Sequence, residues 1–205
     1  MNDYSDGDER FGYVTAPLYS LLTLIPQMSG FYDFVCRDLH GVGPRDILDV
    51  GTGPGTVPAR LAASGMFEGI YAVDPSKQML WIASLETRKF GNVHLAAGSS
   101  TRIPFRRKFG LIFSALSFHH WAKQEESLRY LSHFLARNGE IRIYEFNSRR
   151  LGLPYKVAVP SHSVDKADVY EIVKRAGMTP ASCIEKGQFI RIGVSARHDA
   201  KVQSL

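Results

Sequence analysis

The sequence predicts an α/β protein built on a doubly wound, mostly parallel, seven-stranded sheet that ends in an antiparallel C-terminal hairpin. Three observations predict it. From Ile47 onward, short apolar runs alternate with helix-like stretches, the rhythm of βαβ units. The turn DVGTGPG (49–55) joins the first run to the first such stretch, where an α/β sheet usually meets its ligand. Near the C terminus two runs flank Gly187 with no helix between them, the pattern of a hairpin.

Each element has a local reason. Residues 1–45 read as an N-terminal helical cap. Its first ten residues are polar and read as disordered, and apolar residues over 16–40 keep a mixed helical spacing that breaks near Pro26 and Gly30 into two helices. Residues 46–146 carry the alternating core. ILDV (47–50) is a strand and PARLAAS (58–64) a helix that must begin early enough to hold Pro58 in its first turn. GIYAVD (69–74) is the second strand, and SKQMLWIASLETRK (76–89) a helix with Ser76 as N-cap. VHLAAG (93–98) and LIFSAL (111–116) are the third and fourth strands. QEESLRYLSHFLARNG (124–139) reads as one amphipathic helix with Leu128, Leu131 and Leu135 on a face and Gly139 as its cap. EIRIYEF (140–146) is the fifth strand. Residues 147–205 then hold a long loop, the helix KADVYEIVKRAG (166–177) and the hairpin ASCIEK/FIRIGVSAR (181–186, 189–197). A loop over 148–163 exceeds the usual connection and is a candidate lid.

The bulk numbers fit one domain. The chain has 205 residues, is 44% hydrophobic and carries a net charge of +5. The densest basic clusters, Arg106-Arg107-Lys108 and Arg149-Arg150, read as solvated loop charge. The two cysteines, Cys36 and Cys183, have no partner spacing and read as reduced thiols. The opening MNDYSDGDER is unlike a secretory leader, and the apolar stretch APLYSLLTLIP is too short to span a bilayer, so a cytoplasmic protein with no membrane span is expected.

The glycine turn is specific in what it excludes. A dinucleotide fingerprint G-x-G-x-x-G would need glycine at position 56, which is Thr56. No Gly-Lys-Ser/Thr follows, which excludes a P-loop. The spacing is G-x-G-x-G, at Gly51, Gly53 and Gly55, with Asp49 two residues ahead. The second strand ends in Asp74, one half-unit later, where an acid receives ribose hydroxyls. A carboxylate with two acceptor oxygens suits a vicinal diol.

Five segments, ILDVGTGPG (47–55), AVDPSKQML (72–80), AAGSSTRIPF (96–105), FSALSFHHW (113–121) and LARNGEIRIYEF (135–146), together resemble the class I S-adenosylmethionine-dependent methyltransferases, in order and spacing. Among these they look most like the small-molecule branch that includes the ubiquinone/menaquinone-biosynthesis methyltransferases. The resemblance implies a Rossmann-like methyltransferase fold, S-adenosyl-L-methionine as cofactor, S-adenosyl-L-homocysteine as product and a small-molecule acceptor. It places Gly51, Thr52, Gly53 and Gly55 under the methionine part, with Asp49 near its amino group. Asp74 takes the ribose diol. Pro75 and Met79 lie near the adenine, as do Gly98, Ser99 and Ser100. At Ser99 the family often has an acid, and a hydroxyl accepts a hydrogen bond more weakly. Ser114, Ala115 and Leu116 fall beside the transferring methyl group.

Methyl transfer needs orientation first and a base only when the acceptor loses a proton. His119 and His120 are the candidate bases, being imidazoles just past the fourth strand. Neither has a further ligand at metal-binding spacing, so no metal site is expected. Tyr13 is placed to reach over the cofactor, and Glu145 and Asn147 to face substrate at the same rim. Two other functions are weighed beside this one. An RNA or tRNA methyltransferase would suit the basic charge, but the Asp/Asn/Ser-Pro-Pro-aromatic motif of base amino methylation is replaced by Ser114-Ala115-Leu116-Ser117, and neither cysteine lies in a core motif. A protein that binds the cofactor without catalysis is the other. The acceptor and the oligomeric state have no recognisable code.

Overall fold

In a computed structural model, residues 26–42, 45–150 and 163–196 are described. Helix α1 spans Pro26–His40. The core then alternates β1 (Asp46–Val50), α2 (Thr56–Ser64), β2 (Gly69–Asp74), α3 (Lys77–Thr87), β3 (Val93–Ala97) and β4 (Phe109–Ala115). A 3₁₀ turn, Phe118–His120, leads to α4 (Gln124–Ser132) and β5 (Leu135–Asn147). The last elements are β6 (Ser163–Val164), α5 (Lys166–Arg175), β7 (Thr179–Lys186) and β8 (Phe189–Ser195).

The strands form one sheet in the order β3-β2-β1-β4-β5-β8-β7, with the two-residue β6 an additional partner of β5. Pairing is parallel from β3 to β5 and antiparallel at β5–β8 and β7–β8. This is the expected doubly wound sheet with its C-terminal hairpin. Gly187 turns that hairpin at φ 57°, a left-handed value that favours glycine.

Both faces of the sheet are covered, which is why its central strands read as unbroken apolar runs. On one face Ile47, Ile70, Leu111 and Phe113 pack under α1 and α2 with Phe31, Val35, Leu39 and Leu61. On the other, Leu48, Val73, Ile112 and Ile143 pack under α4 and α5 with Leu128, Leu131, Val169 and Val173. Ser76 caps α3 as expected, accepting the Met79 N–H at 3.3 Å.

Two elements differ from the sequence reading. Gly30 does not break α1. It sits within the helix, its Cα face 3.7 Å from the Phe189 ring at the Cβ position, and Pro26 is the first helical residue, where a missing N–H costs nothing. The helix read over 124–139 stops at Ser132. Leu135 is claimed by β4, pairing with Phe109, and the Phe109 N–H takes the Phe134 carbonyl at 2.8 Å. Between that pair and Leu111–Glu140, β4 advances two residues and β5 five. Asn138 turns through φ 61° to absorb the excess, and Gly139 lies inside β5. Strand pairing outcompeted a locally helical sequence.

Residues 1–25, with Tyr13 and the first cap helix, and residues 151–162 of the candidate lid lie outside the described residues. No helix among the described residues is long and apolar enough to cross a membrane. Cys36 is a buried free thiol, which burial pushes up to about 11, and Cys183 is free and half-buried. The basic clusters are exposed but engaged. Arg107 meets Asp46 at 2.7 Å and lies over the Tyr71 ring, Lys108 donates to the His133 carbonyl, Arg149 pairs with Asp165 at 2.6 Å and Arg150 with Glu185 at 3.3 Å.

Candidate active site

The site opens at the carboxyl ends of β1, β2 and β4, where a doubly wound sheet divides. The turn after β1 is held from beneath, because the N–H groups of Gly51 and Thr52 both donate to the Val73 carbonyl, at 2.9 and 3.0 Å. Gly51, Gly53 and Gly55 all have positive φ, at 80°, 55° and 81°. A Cβ on Gly51 would overlap Ser117, and one on Gly55 would lie 2.8 Å from that of Ala83 in α3. Gly53 faces open space, where a Cβ would meet nothing within 4 Å. We expect Gly55→Ala to destabilise the protein by about 1–3 kcal/mol, combining overpacking with left-handed strain. Chemical denaturation checks this.

Two carboxyls stand at this turn. Asp49 is buried. Its Oδ2 accepts the Thr52 hydroxyl at 2.8 Å, while Oδ1 has no hydrogen-bond partner among the described residues. Burial pushes this carboxyl up to about 7, the Thr52 bond opposes the shift and the charge of Asp74 adds to it. Asp74 accepts the Gly53 N–H on one oxygen and the Ser76 N–H on the other, both at 2.8 Å. Burial raises it to about 6 against those two bonds. Both folded values lie above the ordinary 3.8, so the native state holds more protons than the unfolded chain across that interval. The stability contribution of these groups is therefore fully present at low pH and declines as pH rises to about 7. Denaturation at about pH 5 and about pH 7.5 should show that decline, and Asp49→Asn should flatten it.

The opposite wall comes from the end of β4. Leu116 adopts φ 56°, strained for a branched residue, and its N–H donates to the Tyr144 carbonyl at 3.0 Å. Ser117 ties the walls together. Its hydroxyl donates to the Val50 carbonyl at 2.6 Å, lies 2.8 Å from the Ser114 hydroxyl and accepts the Trp121 Nε1–H at 3.3 Å. The 3₁₀ turn follows, with the His119 and His120 rings 3.9 Å apart.

These walls enclose a cavity that gathers most of the residues singled out from sequence. Asp49, Gly51, Thr52 and Gly53 form one side, and Asp74, Pro75 and Met79 the next. Ser100, Ala115, Leu116 and His120 complete it. Five of the expected residues do not line it. Gly55 packs on Ala83. Gly98 is buried where a Cβ would lie 2.6 Å from the Arg102 carbonyl. Ser99 is spent on a local turn, exchanging backbone bonds with Arg102 and approaching the Thr101 hydroxyl at 3.3 Å. Ser114 is buried under Ser117. His119 is turned to Glu145, with Nδ1 at 2.9 Å from its carboxylate. Glu145 and Asn147 do not face the cavity either. Glu145 is wholly buried, and Asn147 bonds Glu185 and the Arg149 N–H.

The cavity also holds residues that sequence reasoning missed, among them Tyr32, Thr56, Ser117 and Trp121. Tyr32 comes from α1. Burial pushes its hydroxyl up to about 12 against a hydrogen bond with Thr56. At helical spacing among apolar neighbours it reads as core, and no motif marks it.

Comparison with known proteins agrees with this arrangement. Residues 47–139 match the family model described as a methyltransferase domain. No curated protein matches the chain. Among solved structures, a provisionally assigned S-adenosyl-L-methionine-dependent methyltransferase of Methanococcus maripaludis superposes with a TM-score of 0.75 at 18% identity, covering 98% of this chain and 100% of that one. A SAM-dependent methyltransferase of Aquifex aeolicus gives 0.73 at 21% identity, with 87% and 97% covered. DhpI, in a complex with SAM and HEP, gives 0.67 at 16% identity, with 88% and 92% covered. With its glycine turn, its acid at the end of β2 and its 3-2-1-4-5 sheet order, the chain shares the fold of these methyltransferases, and over residues 47–139 it is similar to a methyltransferase domain.

Proposed function

We propose that the protein transfers the methyl group of S-adenosylmethionine to a small-molecule acceptor that meets the site beside His120. The observation that carries this reading is the two-sided cavity: bare backbone at Gly53 and two buried carboxyls on one side, a strained Leu116, His120 and Trp121 on the other. The residues fit the cofactor. The Oδ1 of Asp49, without a hydrogen-bond partner among the described residues, suits its ammonium group, and Asp74 suits its ribose hydroxyls. When bound, the cofactor supplies an electrophilic methyl group on a sulfonium sulfur. The chain supplies orientation, exclusion of water and an imidazole at the wall. Orientation alone is worth about 7–11 kcal/mol of a barrier. DhpI, of the same fold, forms a complex with SAM and HEP, a precedent for a second bound molecule beside SAM in one structure. The engaged arginines at 107, 149 and 150 support a small acceptor over a nucleic acid.

Thermal unfolding with S-adenosylmethionine, S-adenosylhomocysteine and NAD in parallel tests the reading. A ligand at about 100 times its Kd adds ~2.7 kcal/mol, and each kcal/mol moves Tm by roughly 2–4 °C for a chain of this size. Shifts with both sulfur ligands and none with NAD support it. Silence with both sulfur ligands overturns it. An acceptor panel that includes RNA at low salt then separates the small-molecule reading from the RNA reading, and transfer to none of them would favour a binder without catalysis. His120→Ala is expected to keep cofactor affinity within about threefold. It should lower transfer to any acceptor that loses a proton by about 10²–10⁴-fold.

A further inference from the structure

Glu145 lies near the carboxyl end of β5 with none of its surface exposed, between the buried Tyr144 and Phe146. A carboxylate without water must draw its hydrogen bonds from protein. Among the described residues, both of those formed by Glu145 come from one residue. The His119 backbone N–H reaches Oε1 at 3.3 Å, and the His119 ring Nδ1 reaches Oε2 at 2.9 Å. An ionised carboxylate only accepts, so Nδ1 is the donor, and in the neutral ring the lone pair is left on Nε2. The His119 ring lies against that of His120, which lines the cavity.

We propose that Glu145 is a positioning residue for methyl transfer: it fixes the tautomer and attitude of His119, and through the tilted contact between the two rings it sets His120 at the cavity wall for an acceptor atom that gives up a proton. This rests on the reading above, that the acceptor meets His120. The balance is simple. The acceptor's bond to hydrogen breaks and its electron pair forms the bond to the methyl carbon. The methyl–sulfur bond breaks with its pair left on sulfur, and the proton goes to His120. Glu145, one ring behind, offsets the positive charge that His120 gains. A substrate class follows: hydroxyl, phenol or another acceptor that carries a proton at the reacting atom.

Glu145→Gln separates this role from mere packing. Two N–H donors face the two oxygens of Glu145. Glutamine offers only one oxygen, so its amide must turn N–H toward one donor. With the backbone N–H fixed, the strain is relieved when His119 moves its proton from Nδ1 to Nε2. The experiment is long-range ¹⁵N–¹H NMR of ¹⁵N-histidine protein saturated with S-adenosylhomocysteine, at a pH where the rings are neutral, with His119→Phe to assign the signals. The wild type should show His119 protonated at Nδ1, and Glu145→Gln should show it protonated at Nε2, with S-adenosylhomocysteine affinity unchanged within about twofold in calorimetry. With a proton-bearing acceptor, Glu145→Gln should lower kcat at least about tenfold while the KM for S-adenosylmethionine stays within about threefold. A wild-type His119 protonated at Nε2, a tautomer unmoved by Glu145→Gln, or an unchanged kcat would each overturn the proposal. Failure of the wild type to bind S-adenosylhomocysteine would instead overturn the function on which it rests.

Discussion

Asp38→Ala is expected to cost about 3–5 kcal/mol of stability and to lower Tm by roughly 6–20 °C. Asp38 sits on α1 and meets the antiparallel half of the sheet on the face that α1 covers. Its Oδ2 accepts Arg142 Nη1 at 2.8 Å and the Tyr144 hydroxyl at 2.7 Å, and lies 3.2 Å from Arg191 Nε. Both guanidiniums are largely buried, at 11% and 8% side-chain exposure. Removing the acid leaves Arg142 with Glu140 and leaves Arg191, among the described residues, with no carboxylate within 4 Å, an uncompensated charge in the interior. It also frees the Tyr144 hydroxyl, which burial and the Asp38 charge together push well up. Asp38→Asn should cost less, because an amide oxygen still accepts one of these bonds. Differential scanning calorimetry of both variants is the check. Equal Tm values for wild type and Asp38→Ala would show that α1 is held by its apolar face alone.

The second large effect is on binding. Asp74→Ala is expected to weaken S-adenosylmethionine and S-adenosylhomocysteine by at least about tenfold, or ~1.4 kcal/mol, with the fold retained. Two losses combine. The proposed ribose contacts disappear, each hydrogen bond to a charged group being worth about 1.5–3 kcal/mol. The Gly53 N–H, now held at 2.8 Å, is released, so the turn loses its fixed shape as well. Isothermal calorimetry with both ligands decides the matter, and unchanged affinity would remove Asp74 from the cofactor site.

Much of this architecture can be read from the sequence, for a physical reason. Strands covered on both faces must be apolar throughout, and so ILDV, GIYAVD and LIFSAL announce themselves. The glycine turn is legible because backbone at positive φ, with a neighbour where Cβ would stand, leaves little alternative to glycine. The end of α4 was not legible, since LSHFLARNG is locally helical and only pairing with Phe109 makes Leu135 a strand residue. Ser99 took the place of an acid by motif order, yet its hydroxyl belongs to a turn with Thr101 and Arg102. Tyr32 and Ser117 enter the cavity from separate elements, and their contacts, Thr56 for one and Val50 for the other, are long-range facts that spacing cannot encode.

The small strand β6 has a consequence for how this protein can change. Phe146 faces Phe189 of β8 across one edge of β5, so Ser163 and Val164 must lie along the other edge, in line with β4 and beyond its end. The chain thus leaves the sheet after Asn147 and returns to the adjoining position, pinned by Ser148 to the Val164 carbonyl at 3.1 Å and by Arg149 to Asp165 at 2.6 Å. The two ends of the intervening stretch are fastened independently of what lies between. Both anchors sit on residues that flank the stretch, so the pairing of β5 with β6 does not depend on its length.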